Sequence, residues 1–265
     1  MKTIFTIGKS ATAAETLLLE IGPDYCAYAL LNREQKAFEQ INFVSFEELE
    51  AERQLGLLFK TIDRSAVTRT VVCAAYAHAL LVPQKQFNED GSLLHLVYDT
   101  ALGQQLHDRV GEWQLVNSYA FPAGIDRLVR SWFPDAQYLH AYTPGLRIYN
   151  GFVAPDQVDI HFTIQHFRVM VKKEGQVQLA QTYGYKTPLD VVYFLLKICY
   201  EFGLGQSSAF LIVSGLVDKD SALYQELHHY FLNIHFAQAP NYALPENEHP
   251  HYFFTSLYNL AACVS

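Results

Sequence analysis

The sequence predicts an α/β protein built as two successive β-β-β-α-β halves, and three observations carry that prediction. From Val158 to Gly215, strand-like alternation gives way to one long apolar helix and then a continuous apolar run. From Leu17 to Tyr76 the same order appears. The two copies are offset by about 140 residues throughout, close to half of the 265-residue chain. Identity between them is negligible, so architecture is what repeats.

In the second copy, Val158, Ile160, Phe162 and Ile164 alternate with Asp159, His161, Thr163 and Gln165, the period of a half-buried strand. Phe167, Val169 and Val171 resume the alternation after a turn. Glu174-Gly175 supplies hairpin chemistry before a third strand marked by Val177, Leu179 and Tyr183. Thr187-Pro188 opens a helix, with Thr187 as N-cap, proline at the first helical position and Asp190 in the first turn. The helix runs from Leu189 to Phe202 and stops at Gly203. Phe210 to Val213 reads as a strand covered on both faces.

In the first copy, residues 1–14 show no firm pattern and are read as a loosely held leader. Leu17–Ile21, Tyr25–Leu31 and Phe38–Phe46 are strands, separated by turns at Gly22-Pro23-Asp24 and Asn32-Arg33-Glu34. Phe46 to Ile62 is an amphipathic helix with Leu55, Leu58, Phe59 and Ile62 on one stripe, and Thr70–Tyr76 is a buried strand.

The remaining elements follow from local signals. Ala79–Phe87 is extended, Asn88-Glu89-Asp90-Gly91 is a loop, Ser92 caps a helix through Leu102, and Trp113–Tyr119 is a strand. Pro122 starts a helix whose Ile125, Leu128, Val129 and Trp132 face inward. Gln137–Tyr142 is a strand, and Thr143-Pro144 caps a short helix. Beyond Gly215, Asp220 caps a helix carrying Leu223, Leu227, Tyr230 and Phe231, and Ile234–Ala237 is a strand. A polar loop from Pro240 to Pro250 leads into a closing helix near His251–Cys263. The expected division is residues 1–150 as the first half, with a small subdomain inserted near 79–121, and residues 151–265 as the second.

Composition narrows the function. A formal net charge of −8, with only 19 lysines and arginines and no basic cluster, argues against nucleic acid as partner. Cys26, Cys73, Cys199 and Cys263 are far apart, lie in apolar segments and have no metal-ligand spacing, so free thiols in a reducing cytoplasm are expected. After Met1-Lys2 there is no sustained apolar region for a signal peptide, and no apolar run reaches the ~18 residues of a membrane span. A soluble, cytoplasmic protein without direct membrane insertion is expected.

With that order of elements, the chain resembles the actin-like ATPase superfamily, whose fold is two ribonuclease-H-like β-β-β-α-β-α-β halves. It is similar to an uncharacterised bacterial family of unknown function and, distantly, to the actin-like proteins of type IV pilus assembly and cell division. The resemblance covers residues 15–265 and implies an ATP site with Mg²⁺ built from two phosphate loops and an adenosine loop. For the first loop, an Asp-x-Gly, this chain has Glu20-Ile21-Gly22-Pro23-Asp24-Tyr25. Gly22 keeps the glycine and Glu20 replaces the aspartate, while Pro23 removes an N–H that a phosphate would want. For the second, Asp159 matches the aspartate, but His161 stands where glycine is expected. Ser214-Gly215-Leu216 keeps one of the two adenosine-loop glycines.

Other chemistry is thinner still. A two-metal nuclease needs converging carboxylates, and Ala74-Ala75-Tyr76 offers none on the fourth strand of the first half. Neighbours His228 and His229 point about 100° apart on a helix and cannot chelate as i, i+4 histidines do. Ser214-Gly215 lacks the surroundings of a nucleophile elbow.

No residue is assigned a catalytic or metal-ligating role. The first reading is a non-catalytic actin-like binding or scaffold protein with degenerate phosphate loops and an unidentified protein partner, self-association being allowed. The alternative is an ATP-binding conformational switch with little or no hydrolysis, in which Glu20, Gly22, Asp159 and Gly215 line the nucleotide cleft. An enzyme of kinase or hydrolase type ranks third.

Overall fold

Apolar side chains cover both faces of the central strands in the first half of the chain, and that burial organises its sheet. In this computed structural model, residues 1–8, 14–89, 92–99, 103–148, 154–238 and 241–264 are described. The first of two compact units comprises Met1–Ile148, Pro240–Glu248 and Leu257–Ser265. Its strands β1 (Lys2–Gly8), β2 (Thr16–Ile21), β3 (Tyr25–Asn32), β4 (Ala37–Ser45) and β5 (Arg69–Ala74) are joined by α1 (Ala51–Phe59) between β4 and β5. Every residue of β2 and β3 is buried, which suits their continuous apolar sequences. A short 3-10 turn, Glu48–Glu50, precedes α1, so the helix is shorter than its stripe suggested. The stripe residues Leu55, Leu58, Phe59 and Ile62 are nonetheless all buried.

Beyond β5, residues 79–122 build a separate three-stranded sheet. It holds β6 (Ala79–Pro83), β7 (Gly103–Val110) and β8 (Leu115–Pro122) in the order β6-β8-β7, with α2 (Ser92–Val97) between β6 and β7. The chain then forms α3 (Ala123–Trp132), β9 (Gln137–His140) and α4 (Tyr142–Ile148). The larger sheet runs β1-β4-β3-β2-β5-β9, antiparallel up to β2 and parallel across β5 and β9.

Residues 2–8 correct the reading of the N-terminus as a loose leader. They form β1, paired antiparallel with β4, with Phe5 against Phe43 at 5.6 Å between ring centroids. Only Phe5 and Ile7 are buried, so the apolar alternation is too short to be conspicuous. Strand β7 is likewise absent from the sequence expectation, because its sequence GQQLHDRV is polar and only Asp108 and Val110 are buried. The helix from Ser92 ends at Val97 instead of reaching Leu102. Residues 9–13, Asp90, Gly91, 100–102 and Pro240 lie outside the described residues.

The second unit comprises Tyr149–Ala239 and His249–Ser256. Its strands are β10 (Gln157–Phe162), β11 (His166–Lys173), β12 (Gln176–Gly184), β13 (Phe210–Gly215) and β14 (Asn233–Phe236). Helix α5 (Pro188–Glu201) joins β12 to β13, and α6 (Ala222–Tyr230) joins β13 to β14. Val158, Ile160, Phe162, Phe167, Val169 and Val171 pack on the inner faces of α5 and α6 and form the core. Glu174 and Gly175 both have positive φ, 51° and 75°, the turn that matches strand twist in a two-residue hairpin. Thr187 and Asp190 complete a capping box at the start of α5. Ser221, not Asp220, caps α6: its hydroxyl accepts the Tyr224 N–H at 3.2 Å, one residue later than the sequence suggested. The chain closes through a 3-10 turn, His251–Phe254, and α7 (Thr255–Val264).

Strand order is the same in both units. The second sheet runs β12-β11-β10-β13-β14 and the first contains β4-β3-β2-β5-β9, with matching directions. Register agrees as well. Ile21 pairs with Cys26 and Ala74, and Phe162 pairs with Phe167 and Gly215, so one offset of 141 residues relates all three positions. The repeat is a repeat of register, not only of element order.

Candidate functional site

The β2–β3 hairpin carries Glu20 and Gly22. Gly22 N–H donates to the Tyr25 carbonyl at 3.0 Å, leaving Pro23 and Asp24 as the two-residue tip. Tyr25 folds back over this hairpin. A Cβ built on Gly22 would lie 2.2 Å from Tyr25 Cε1, so glycine is required here to seat the ring and not merely to turn the chain. The ring stacks on Phe43, with centroids 5.1 Å apart and planes 5° apart. Its hydroxyl donates to Glu20 Oε1 at 2.5 Å, and both residues are buried. The carboxylate thus has a phenol across it. Burial, reinforced by Glu20, pushes the neighbouring Cys26 thiol far above its ordinary range.

In the second unit the β10–β11 hairpin repeats this geometry. Thr163 N–H donates to the His166 carbonyl at 2.8 Å, so Thr163 and His166 hold the places of Gly22 and Tyr25. No glycine occurs in the turn from Thr163 to His166. By register, the counterpart of Glu20 is His161: Glu20 pairs with Cys73, and His161 with Ser214. His161 Nδ1 lies 2.9 Å from Ser214 Oγ.

Asp159 sits two residues earlier on β10, paired with Met170 and Ile212. It accepts from Lys172 Nζ at 3.0 Å and from Gln157 Nε2 at 2.6 Å. The Lys172 side chain is 0% exposed; burial lowers its pKa to about 8, against the pull of Asp159, which favours the charged form. Asp159 is therefore occupied as the counter-ion of a buried lysine.

Gly215 ends β13 at φ +80°, and a Cβ there would stand 2.1 Å from the Phe162 carbonyl oxygen. The next residue, Leu216, donates its N–H to that same oxygen at 2.9 Å. Close approach of β13 to β10 accounts for this glycine. Within their own units, Glu20 and Gly22 share one hairpin, while Gly215 adjoins Phe162, three residues beyond Asp159.

Both crossover helices begin with negative charge. Asp190 Oδ2 accepts the Thr187 and Lys186 N–H groups at 2.8 and 2.9 Å, which holds its carboxyl below the usual range. Glu48, Glu50 and Glu52 cluster where α1 starts. A shallow cleft of about 450 Å³ lies beside the start of α5, lined by Gln165, His166, Tyr185, Lys186, Asp190 and Phe194. Its helix terminus already carries its own carboxylate, where an anion would otherwise bind.

His228 and His229, and two further histidines of the second unit, have aromatic or carboxylate neighbours. His235 stacks on Phe210 at 4.3 Å, His228 meets the edge of Tyr224, His249 stacks on Phe253, and His229 lies 3.3 Å from Glu226. Among the described residues, no three His, Cys, Asp or Glu side chains are grouped to hold a metal ion. Among the same residues, no helix is long and apolar enough to cross a membrane.

One polar cluster was missed by sequence. Buried Asp108 on β7 accepts from Thr143 Oγ1 at 2.5 Å and from His140 N–H at 2.7 Å, while Asn117 Nδ2 donates to Thr143 Oγ1 at 3.2 Å. Burial raises the Asp108 pKa, and these hydrogen bonds oppose the rise. The cluster ties the three-stranded sheet to β9 and α4. The only sequence hint was an acid within an otherwise unassigned stretch.

A family model described as "Protein of unknown function (DUF3822)" matches residues 6–234. No curated protein matches the chain. Among solved structures, a Bacteroides thetaiotaomicron protein with actin-like ATPase fold and unknown function superposes with a TM-score of 0.79. It is 14% identical, and the match covers 94% of this chain and 95% of that one. The PilM-PilN type IV pilus biogenesis complex gives a TM-score of 0.66 at 11% identity, covering 95% and 99%. The ethanolamine utilization protein EutJ from Carboxydothermus hydrogenoformans gives 0.51 at 8% identity, covering 96% and 92%. Such identities speak to fold alone: this chain has the actin-like ATPase fold.

Proposed function

This chain belongs to the DUF3822 family, and from that premise we propose that it is a non-catalytic actin-like protein acting as a binding or scaffold module. The observation that carries the proposal is Tyr25. Its ring occupies the space above Gly22, and its hydroxyl engages Glu20, the two first-loop positions that a nucleotide would use.

The other loop positions support the same reading. Asp159 neutralises Lys172, Gly215 serves strand packing, and the turn from Thr163 to His166 lacks the glycine that close phosphate approach requires. Carboxylates at the starts of α1 and α5 add charge repulsion. A protein partner is the proposed ligand, and the occurrence of this fold in the PilM-PilN complex is consistent with such a use. A cytoplasmic location is part of the proposal, in keeping with free thiols at Cys26, Cys73, Cys199 and Cys263.

Thermal melting with and without ATP and Mg²⁺ tests this. A ligand that binds the native state at 100 times its Kd adds about 2.7 kcal/mol of stability and raises the melting temperature. The expected shift is zero. A saturable upward shift would favour the alternative, an ATP-binding conformational switch.

A further inference from the structure

Helix α5 buries Val191, Val192, Leu195, Ile198 and Cys199 against its sheet, as an amphipathic helix should. Its outer face is also apolar along one edge. Leu189, Tyr193 and Tyr200 are 57%, 61% and 87% exposed, and partly buried Leu196 lies between them. These positions follow i, i+4, i+7 and i+11, a single stripe. The three exposed side chains present on the order of 400 Å² of largely apolar surface, as much as the largest patch on many monomers. Along the other edge of the same face run Lys186, just before the helix, then Asp190, Lys197 and Glu201.

We propose that this face pairs antiparallel with the same face of a second copy of the chain, about a two-fold axis beside Phe194. The arrangement of charge commits the surface to that occupant. A two-fold axis there sets Leu189 opposite Tyr200 and Tyr193 opposite Leu196. The same axis sets Lys186 opposite Glu201 and Asp190 opposite Lys197. An antiparallel two-fold keeps each edge on its own side, so apolar meets apolar and each cation meets a carboxylate. Every cross-pair occurs twice. Doubled by symmetry and widened by the charged edge, the contact approaches the roughly 1,000 Å² of a reversible interface. The pairing is independent of whether the hairpins accept nucleotide.

Sedimentation of the full chain over a range of concentrations tests it. The native chain is expected to pass reversibly from monomer to dimer. Lys186→Glu and Glu201→Lys should each weaken the dimer about tenfold or more through two like-charge contacts. The double variant Lys186→Glu/Glu201→Lys, which restores opposite charges, should recover the native dissociation constant. Tyr193→Glu should give monomer, with the native melting temperature at concentrations where the native chain is itself monomeric, since the side chain is exposed. A native chain that remains monomeric at every concentration overturns the proposal, as does a double variant no tighter than the single ones.

Discussion

Tyr25 and Lys172 show how individual side chains decide what the two hairpins can do. Tyr25 uses the absence of a side chain at Gly22 for its own ring. Lys172 ties up Asp159 and leaves a measurable trace. Folded Lys172 releases its proton near pH 8, whereas a lysine in the unfolded chain keeps it to about 10.5. Between those values the unfolded state binds the extra proton, so stability rises with pH across the window. Below pH 8 both states carry the charge, and the full cost of burying it is present. The second unit should therefore gain on the order of 2–3 kcal/mol from pH 8 to 10.5. Denaturant unfolding at a series of pH values measures this gain. Lys172→Met, which keeps the apolar stem, should flatten the profile; native and variant curves of equal slope would contradict the assignment.

At the scale of elements, what was legible in the sequence is what local chemistry determines. The β10–β11–β12 meander announced itself by alternation, and α5 by Thr187, Pro188 and Gly203, because caps and period act over a few residues. Strands β1 and β7 were not legible. Each buries only two residues, so pairing, with distant β4 for β1 and with the adjoining β8 for β7, and not their own patterns, makes them strands. The contact between Tyr25 and Glu20 was equally hidden, since two residues five apart reveal nothing of a ring folded back across a turn. Gly215 has a packing reason of its own, the close approach of β13 to β10. Gly215→Ala places a methyl against the Phe162 carbonyl at positive φ and should cost about 2–4 kcal/mol, or roughly 5–15 °C in melting temperature. A melting temperature within about 1 °C of native would show that the backbone yields there more easily than its packing implies.

For the whole molecule, the duplicated register is the frame within which both hairpins can be compared. The offset that superimposes Ile21 on Phe162 also superimposes Gly22 and Tyr25 on Thr163 and His166, and Glu20 on His161. The family fold is intact in strand order and direction. The positions where the fold resemblance would place phosphate loops hold a phenol–carboxylate pair in one unit and a histidine–serine contact in the other. Whether these two hairpins bind nucleotide decides between the proposed binding role and the switch. The most direct test is amide hydrogen exchange, read by mass spectrometry, across residues 20–26 and 161–167 with and without saturating ATP and Mg²⁺. Exchange in each hairpin is expected to be the same with and without nucleotide. Protection of both hairpins by nucleotide would contradict it, because Tyr25 would then have to leave Gly22 and Glu20 to make room for phosphate.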